Sequence, residues 1–229
     1  FFREPKIGFP RFKSKHHSRN SYTTNVVNGN ILVESKRIRL PKLKWIAMKK
    51  HREPAEDLRL KSVTISMEPS GKYFASLLYE GYSCENQAAE PDYSTAKILG
   101  IDYAMQGMAV FSEKIETGEA GFFRKNEKRL AREQRKLSRC VRGSHNYELQ
   151  KKKVARCHEK IRNQRRDYLH KLSRKIADSY DAVAVENIDM KAMGQCLHFG
   201  KSVQDNGYGM FREMLDYKLA WKGKKMVKV

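Results

Sequence analysis

Acid is scarce in this sequence. Its 229 residues hold 26 Asp and Glu against 47 Lys and Arg, a formal charge of +21. Such an excess resists compaction and favours a polyanionic partner. Cysteine is also scarce. Cys84, Cys140, Cys157 and Cys196 form no CxxC pair, which excludes a zinc-ribbon signature within the sequence. Free thiols fit a reducing compartment, so a cytoplasmic protein associated with the nucleoid is expected. No apolar run approaches membrane-spanning length and no signal peptide is visible, so no membrane partner is expected. The chain opens on Phe1 and stops in mid-pattern at Lys224–Val229, so both ends read as cut.

What the sequence does hold begins with a basic, aromatic stretch over residues 1–30. Gly8-Phe-Pro-Arg-Phe-Lys13 is followed by Lys15, His16, His17, Arg19 and Tyr22. Cations interleaved with rings suit phosphates and unstacked bases, and the same aromatics would also serve as the core of a β domain. Arg11, Lys13, Lys15 and Arg19 are the candidate nucleic-acid contacts here.

Residues 22–80 read as β structure. Val26-Val27 and Ile31–Val33 flank Asn28-Gly29, a hairpin signal. A second hairpin joins Val63–Met67 to Tyr73–Tyr79 around Pro69-Ser-Gly71. Short strands with frequent turns predict a small β-barrel, and residues 81–96 read as a linker.

Two apolar runs then carry one acid each. Lys97–Ser112 contains Asp102, and Asp181–Met190 contains Glu186. Both runs read as buried strands, in which a carboxylate must be paired, protonated or metal-bound. Taken singly, Asp102 could cap a turn and Glu186 could pair with an arginine. Together, in a strongly basic chain, they point to a divalent-metal site acting on nucleic acid, with Mg2+ or Mn2+ as the ion. Strands at Ile98–Asp102, Gly107–Ser112 and Ala120–Phe123, then helix, then a strand at Ala182–Glu186, follow the order of an RNase H-like fold. Nucleases of that fold hold two Mg2+ about 3.5–4 Å apart. In them the first-strand Asp bridges the ions and the fourth-strand acid holds one of them.

Between the acidic strands, residues 125–179 read as a helical hairpin. Leu130 and Leu137 line its first half. Arg142-Gly143-Ser144 breaks it, with Ser144 as the next N-cap. Val154, Cys157, Ile161, Tyr168, Leu172 and Ile176 then recur at helical spacing. From Phe122 to Tyr180 there are 20 basic and 6 acidic residues, a net of +14. A solvated face normally mixes both signs, so this excess predicts an arm lying along a phosphate backbone. Its candidate contacts are Lys128, Arg132, Arg135, Arg139, Lys152, Arg156, Arg162, Arg165 and Arg166. A last helix is expected at Met210–Trp221, with Phe211, Leu215 and Leu219 on its core face.

Six ordered segments carry a resemblance. They are Gly8-Phe-Pro-Arg-Phe-Lys13, Arg39-Leu-Pro-Lys-Leu-Lys-Trp45, Gly100-Ile-Asp-Tyr-Ala104 with Met108–Ser112, Arg165–Leu172, Val183–Met193 and Leu215–Trp221. Together they resemble TnpB, the OrfB-type transposon-encoded protein related to the type V CRISPR nucleases. The resemblance implies an RNA-guided DNA endonuclease whose partners are guide RNA and target DNA. It implies a wedge-like β-barrel over residues 1–92 and a RuvC-like, RNase H-type nuclease domain over 93–229. Residues 125–179 would be the helical insert against the guide–target duplex. Asp102 and Glu186 would be catalytic and metal-binding. The family pattern also has an N-terminal helical insertion, a zinc ribbon and a third catalytic Asp, none matched in this sequence. Asp205 and Asp216 lie outside the third-motif context, and Ala104 replaces a common Gly. The expectation is therefore a nuclease core that cuts weakly or not at all alone. The alternatives are a nuclease-dead RNA-guided DNA-binding protein or transposase remnant, and a plain RNA-binding protein.

Overall fold

The computed structural model describes residues 20–81, 95–104, 108–117, 121–188 and 207–229. The chain divides into two compact units, Phe1–Ser83 and Cys84–Val229.

In the first unit, strands β1 (Ser21–Asn25), β5 (Arg59–Met67) and β6 (Tyr73–Glu80) form one antiparallel sheet in the order β1-β5-β6. Strands β2 (Leu32–Val33), β3 (Arg37–Leu40) and β4 (Lys44–Ala47) form another in that order. Among the described residues no closed barrel forms, which corrects the expected architecture. The two sheets share a small core of Ile31, Ile38, Leu40 and Val63 instead. The second hairpin is present, with Gly71 at φ 84° in its turn. The first is a turn without a hairpin. Asn28 and Gly29 both take positive φ and Asn30 N–H donates to Val27 O at 3.1 Å, as a tight turn requires. Yet β1 pairs with β5 while β2 pairs with β3. Local turn chemistry set the bend, and long-range partners claimed the strands.

In the second unit, strands β7 (Ile98–Ala104), β8 (Met108–Phe111), β9 (Ala182–Val185) and β10 (Lys225–Lys228) make a mixed sheet in the order β10-β9-β7-β8. β7, β9 and β10 are parallel, and β8 is antiparallel to β7. Helices α1 (Phe122–Ser138) and α2 (His145–Ser179) lie between β8 and β9, and α3 (Tyr208–Ala220) lies between β9 and β10. Phe122 and Phe123 begin α1 behind the left-handed Gly121 and pack on the seam between α1 and α2, so the strand expected at Ala120–Phe123 is not formed at those two residues. Ala120 lies outside the described residues. The last stretch of the chain holds the strand β10.

The sheet core is Leu99, Ile101, Met108, Val183 and Val185 under Leu169, Leu172 and Ile176 of α2 and Phe211, Leu215 and Leu219 of α3. The sequence expectation for the last helix therefore holds, with its start two residues earlier. Helix α2 has 35 residues, about 52 Å at 1.5 Å per residue. Its C-terminal half packs on the sheet. Its N-terminal half meets α1 through Leu130, Val154 and Ile161. Ser144 caps it, its hydroxyl accepting from Tyr147 N–H at 3.1 Å. No described helix is long and apolar enough to cross a membrane.

Candidate functional site

The site begins with strand register. β7 and β9 run parallel, with Ile101 opposite Val185, so the next residues, Asp102 and Glu186, are neighbours at the same end of the sheet. Along each strand, side chains alternate between faces. Ile101 and Val185 point into the helix-covered core, so Asp102 and Glu186 do not. Both acids are exposed, which corrects the expectation that they are desolvated inside buried strands. The runs are apolar because one face of each strand is buried.

Three backbone hydrogen bonds hold the stretch around Glu186. Its N–H donates to Ile101 O at 3.3 Å. Asn187 N–H donates to Val229 O at 2.9 Å, and Val229 N–H to Val185 O at 3.0 Å. The Glu186 backbone is thus clamped between β7 and the end of β10. Its carboxyl faces that of Asp102 closely enough to hydrogen-bond with it. That shared hydrogen bond, partial desolvation and the Asp102 charge push Glu186 above the usual carboxylate range, while the Tyr103 N–H pulls the other way.

No lysine or arginine contributes to the shift of Glu186. Among the described residues no group of three His, Cys, Asp or Glu side chains gathers. Two adjacent hard oxygen donors fit a divalent cation in chemistry, as a partial ligand set. Asp216 is exposed on α3. Asp205 lies outside the described residues.

Two tyrosines back this end of the sheet. Tyr103, next to Asp102, packs its ring edge-on against Tyr208, the first residue of α3, with centroids 5.2 Å apart. The Tyr208 hydroxyl is buried without a hydrogen-bond partner among the described residues. Burial raises its pKa first, and the charges of Glu186 and Asp102 raise it further, against the opposing Arg212. The sequence reading missed Tyr208. The only signal was its position just before the apolar stripe of the last helix.

The basic candidates divide by placement. Lys128, Arg132 and Arg135 stand exposed on α1 and Arg139 at its C-cap, and Lys152, Arg156, Arg162 and Arg166 stand exposed on α2. Arg165 is half-buried, and a Cβ at Gly207 would come within 3.1 Å of its side chain. The structure thus packs it where α2 meets α3, away from the exposed row. Arg11, Lys13, Lys15 and Arg19 lie outside the described residues.

Between α1 and α2 runs an open cleft of about 290 Å³, lined by Arg129, Lys136, Lys153, Arg156 and Lys160 with Asn126, Glu133 and Cys157. Gln150 donates to Glu133 Oε2 at 2.8 Å. That bond, with Lys136 and Arg132, holds Glu133 below the usual carboxylate range despite some desolvation. One carboxylate set against five cations leaves the cleft strongly positive. Arg129, Lys136, Lys153 and Lys160 escaped the sequence reading. Their signal was helical spacing, seven residues from Arg129 to Lys136 and from Lys153 to Lys160.

With this geometry established, comparison with known proteins decides the family. Residues 81–196, just over half of the chain, match the OrfB_IS605 family, described as "Probable transposase". The chain belongs to the OrfB_IS605 family. Two relatives of this family member carry more specific names. One, from Escherichia coli (strain K12), is named "Putative RNA-guided DNA endonuclease InsQ". It is 31% identical over 244 residues, covering 100% of this chain and 58% of the relative. The other, from Streptomyces pristinaespiralis, is named "Putative RNA-guided DNA endonuclease". It is 30% identical over 224 residues, covering 96% of this chain and 53% of the relative. The chain thus spans little more than half the length of either. Among solved structures, a chain of a Cas12f1–sgRNA–target DNA complex matches with a TM-score of 0.50 at 18% identity. The match covers 76% of this chain and 36% of that one, and at that identity it is a likeness of fold. The OrfB_IS605 match spans both acidic strands and the whole helical hairpin.

Proposed function

We propose that this chain is the core of an RNA-guided DNA endonuclease, with an RNase H-like (RuvC) sheet carrying Asp102 and Glu186 as its metal ligands. The observation that carries the reading is the meeting of those two carboxyls at one end of the parallel strands. Residues 1–92 would form a nucleic-acid-binding β unit, and residues 93–229 the nuclease unit with its insert at 125–179. The partners are a guide RNA and a target DNA. This agrees with the relatives' names, the +21 charge and the exposed cations of α1 and α2.

Asp102 and Glu186 would hold Mg2+ or Mn2+, which supplies Lewis acidity and an activated water for phosphodiester hydrolysis. The protein's own contribution is orientation. The β7–β9 register aligns the acids, and the β10 hydrogen bonds fix the turn after Val185. The helical hairpin contributes phosphate-binding charge, and the cleft between its helices gives neighbouring phosphates a common seat.

The test pairs two measurements on the purified chain. Mn2+ binding is followed by electron paramagnetic resonance, and binding of a guide RNA–DNA duplex by fluorescence anisotropy. Asp102→Asn and Glu186→Gln should each abolish Mn2+ binding and leave duplex binding within about twofold, since neither acid adds phosphate-binding charge. Mn2+ binding that survives both substitutions would remove the metal site from this reading. Mg2+-dependent cutting by the 229-residue chain, with guide and matched target, is expected to be weak or absent.

A further inference from the structure

Trp221 ends α3 as its C-cap and is 73% exposed. A single exposed aromatic is ordinary on a protein surface, but this one is held in place. Its N–H donates to Tyr217 O at 3.0 Å, and its ring sits edge-on to that of Tyr217 with centroids 4.7 Å apart. Tyr217 in turn reaches α2, where its hydroxyl lies 3.5 Å from His170 Nδ1. The residue after the tryptophan, Lys222, also reaches α2, with its Nζ 2.8 Å from Asp178 Oδ1. His170 and Asp178 belong to one ridge of that helix. Arg162, Arg166, His170, Arg174 and Asp178 follow at four-residue spacing, so they lie one above the other on its surface. From Arg162 to Arg174 the ridge is about 18 Å long at 1.5 Å per residue, and its three arginines are exposed. Its acid, Asp178, is shared between Lys222 and Arg174, the latter at 3.6 Å. Neighbouring Asp167 is paired with Lys171 at 2.7 Å. A braced aromatic pair thus stands at the end of a row of cations. This surface is separate from the acidic pair. Strand β10 starts at Lys225 opposite Ala182, the first residue of β9, whereas Glu186 follows the last.

We propose that the surface where α2 meets α3 binds single-stranded nucleic acid, with an unpaired base stacked on Trp221 and the adjoining phosphates along the Arg162–Arg174 ridge. Aromatic faces beside a cationic track hold single strands without reading their sequence, because every base has a π-face. Toward its start α2 also carries the exposed cations Lys152 and Arg156, so a duplex on the helical arm and a single strand at Trp221 share one helix. The inference rests on the reading of the chain as a binder of guide RNA and target DNA, and adds where an unpaired segment goes. Stacking and phosphate contacts leave the 2′-hydroxyl unread, so RNA and DNA single strands are bound alike.

The sequence holds two tryptophans, Trp45 and Trp221, so Trp45→Phe leaves Trp221 as the sole tryptophan emitter of an otherwise whole chain. Its fluorescence should be quenched by oligothymidylate and by oligouridylate. Heparin, a polyanion without bases, should bind and leave the emission unquenched. By fluorescence anisotropy with labelled strands, Trp221→Ala should weaken binding of both oligonucleotides about tenfold. Trp221→Phe, which keeps a ring, should restore most of that loss, and Mn2+ binding should not change in either variant. Three results overturn the proposal: oligonucleotides that bind without quenching Trp221, affinity within about twofold for Trp221→Ala, or a preference of about tenfold or more for one sugar. A dimer in sedimentation that Trp221→Ala returns to monomer also overturns it, by assigning the rings to a second copy of the chain. If Trp221→Ala changes nothing while the unsubstituted chain binds a guide RNA–DNA duplex, the stacking site fails and the reading of the chain stands. If the unsubstituted chain binds neither single strand nor duplex, both fail.

Discussion

At Glu186 two opposing hydrogen bonds meet. The Asp102 carboxyl favours its protonated form, and the Tyr103 N–H favours its ionised form. The first wins, through the hydrogen bond to Asp102 first, then partial desolvation and the repulsion of its charge. Asp102→Asn should therefore raise the melting temperature of the chain in EDTA at about pH 8, because it removes one of two facing carboxyls. A lower melting temperature would show that the pair is not repulsive. His170 gives a second pH dependence. Burial first, then Lys218 and Arg166, push its pKa below the ordinary value of 6.5. The folded chain therefore binds fewer protons there than the unfolded one. The resulting stability is full above pH 6.5 and drains away as pH falls from there through the depressed value. Melting temperature should rise with pH across that window, and His170→Gln should flatten the slope. The positions of the two acids were legible in the sequence, but their exposure was not. Ile101 and Val185 make the runs look continuously apolar, yet only alternate residues face the helices.

Helix α2 belongs to two layers. Leu169, Leu172 and Ile176 pack on the sheet, while Val154 and Ile161 pack on α1. Its start depends on Ser144, and Ser144→Ala should cost about 1 kcal/mol of stability in urea unfolding. That cap was readable because Gly143 and Ser144 interrupt the apolar period. The cleft between α1 and α2 was not readable, since it needs two helices to face each other. Its cations should set the salt dependence of nucleic-acid binding. Arg129→Ala with Lys153→Ala should weaken binding to all sequences alike and reduce the log–log salt slope by about 1 per lost phosphate contact. An unchanged slope would mean that the cleft touches no phosphate.

Across the second unit, the sheet core and the acidic pair are one construction. Leu215 is fully buried between α2 and the sheet, and Leu215→Ala should cost about 2–5 kcal/mol, seen as a lower urea midpoint. Strand β10 has a more specific task. Removing Lys225–Val229 would free Val185 O and Asn187 N–H on either side of Glu186. Mn2+ affinity should then fall by about tenfold or more. Retained affinity would show that β7 alone positions Glu186. The β10 strand escaped the sequence reading because four residues, two of them lysine and without alternation, give a weak strand signal. It forms because β9 offers a parallel edge.

The sequence by itself determined the charge, the helical hairpin with its cap, the β5–β6 hairpin, and the presence of one acid in each of two apolar runs. Periodicity, turn residues and composition are local, so a linear reading reaches them. Only the tertiary structure decided which strands pair. It sent β1 and β2 to different sheets despite a well-formed Asn28-Gly29 turn, and it set β7 beside β9 in the register that brings Asp102 to Glu186. Those outcomes depend on partners far apart in the chain, Ile101 with Val185 and Thr23 with Thr64, where burial of a shared face outweighs any local preference.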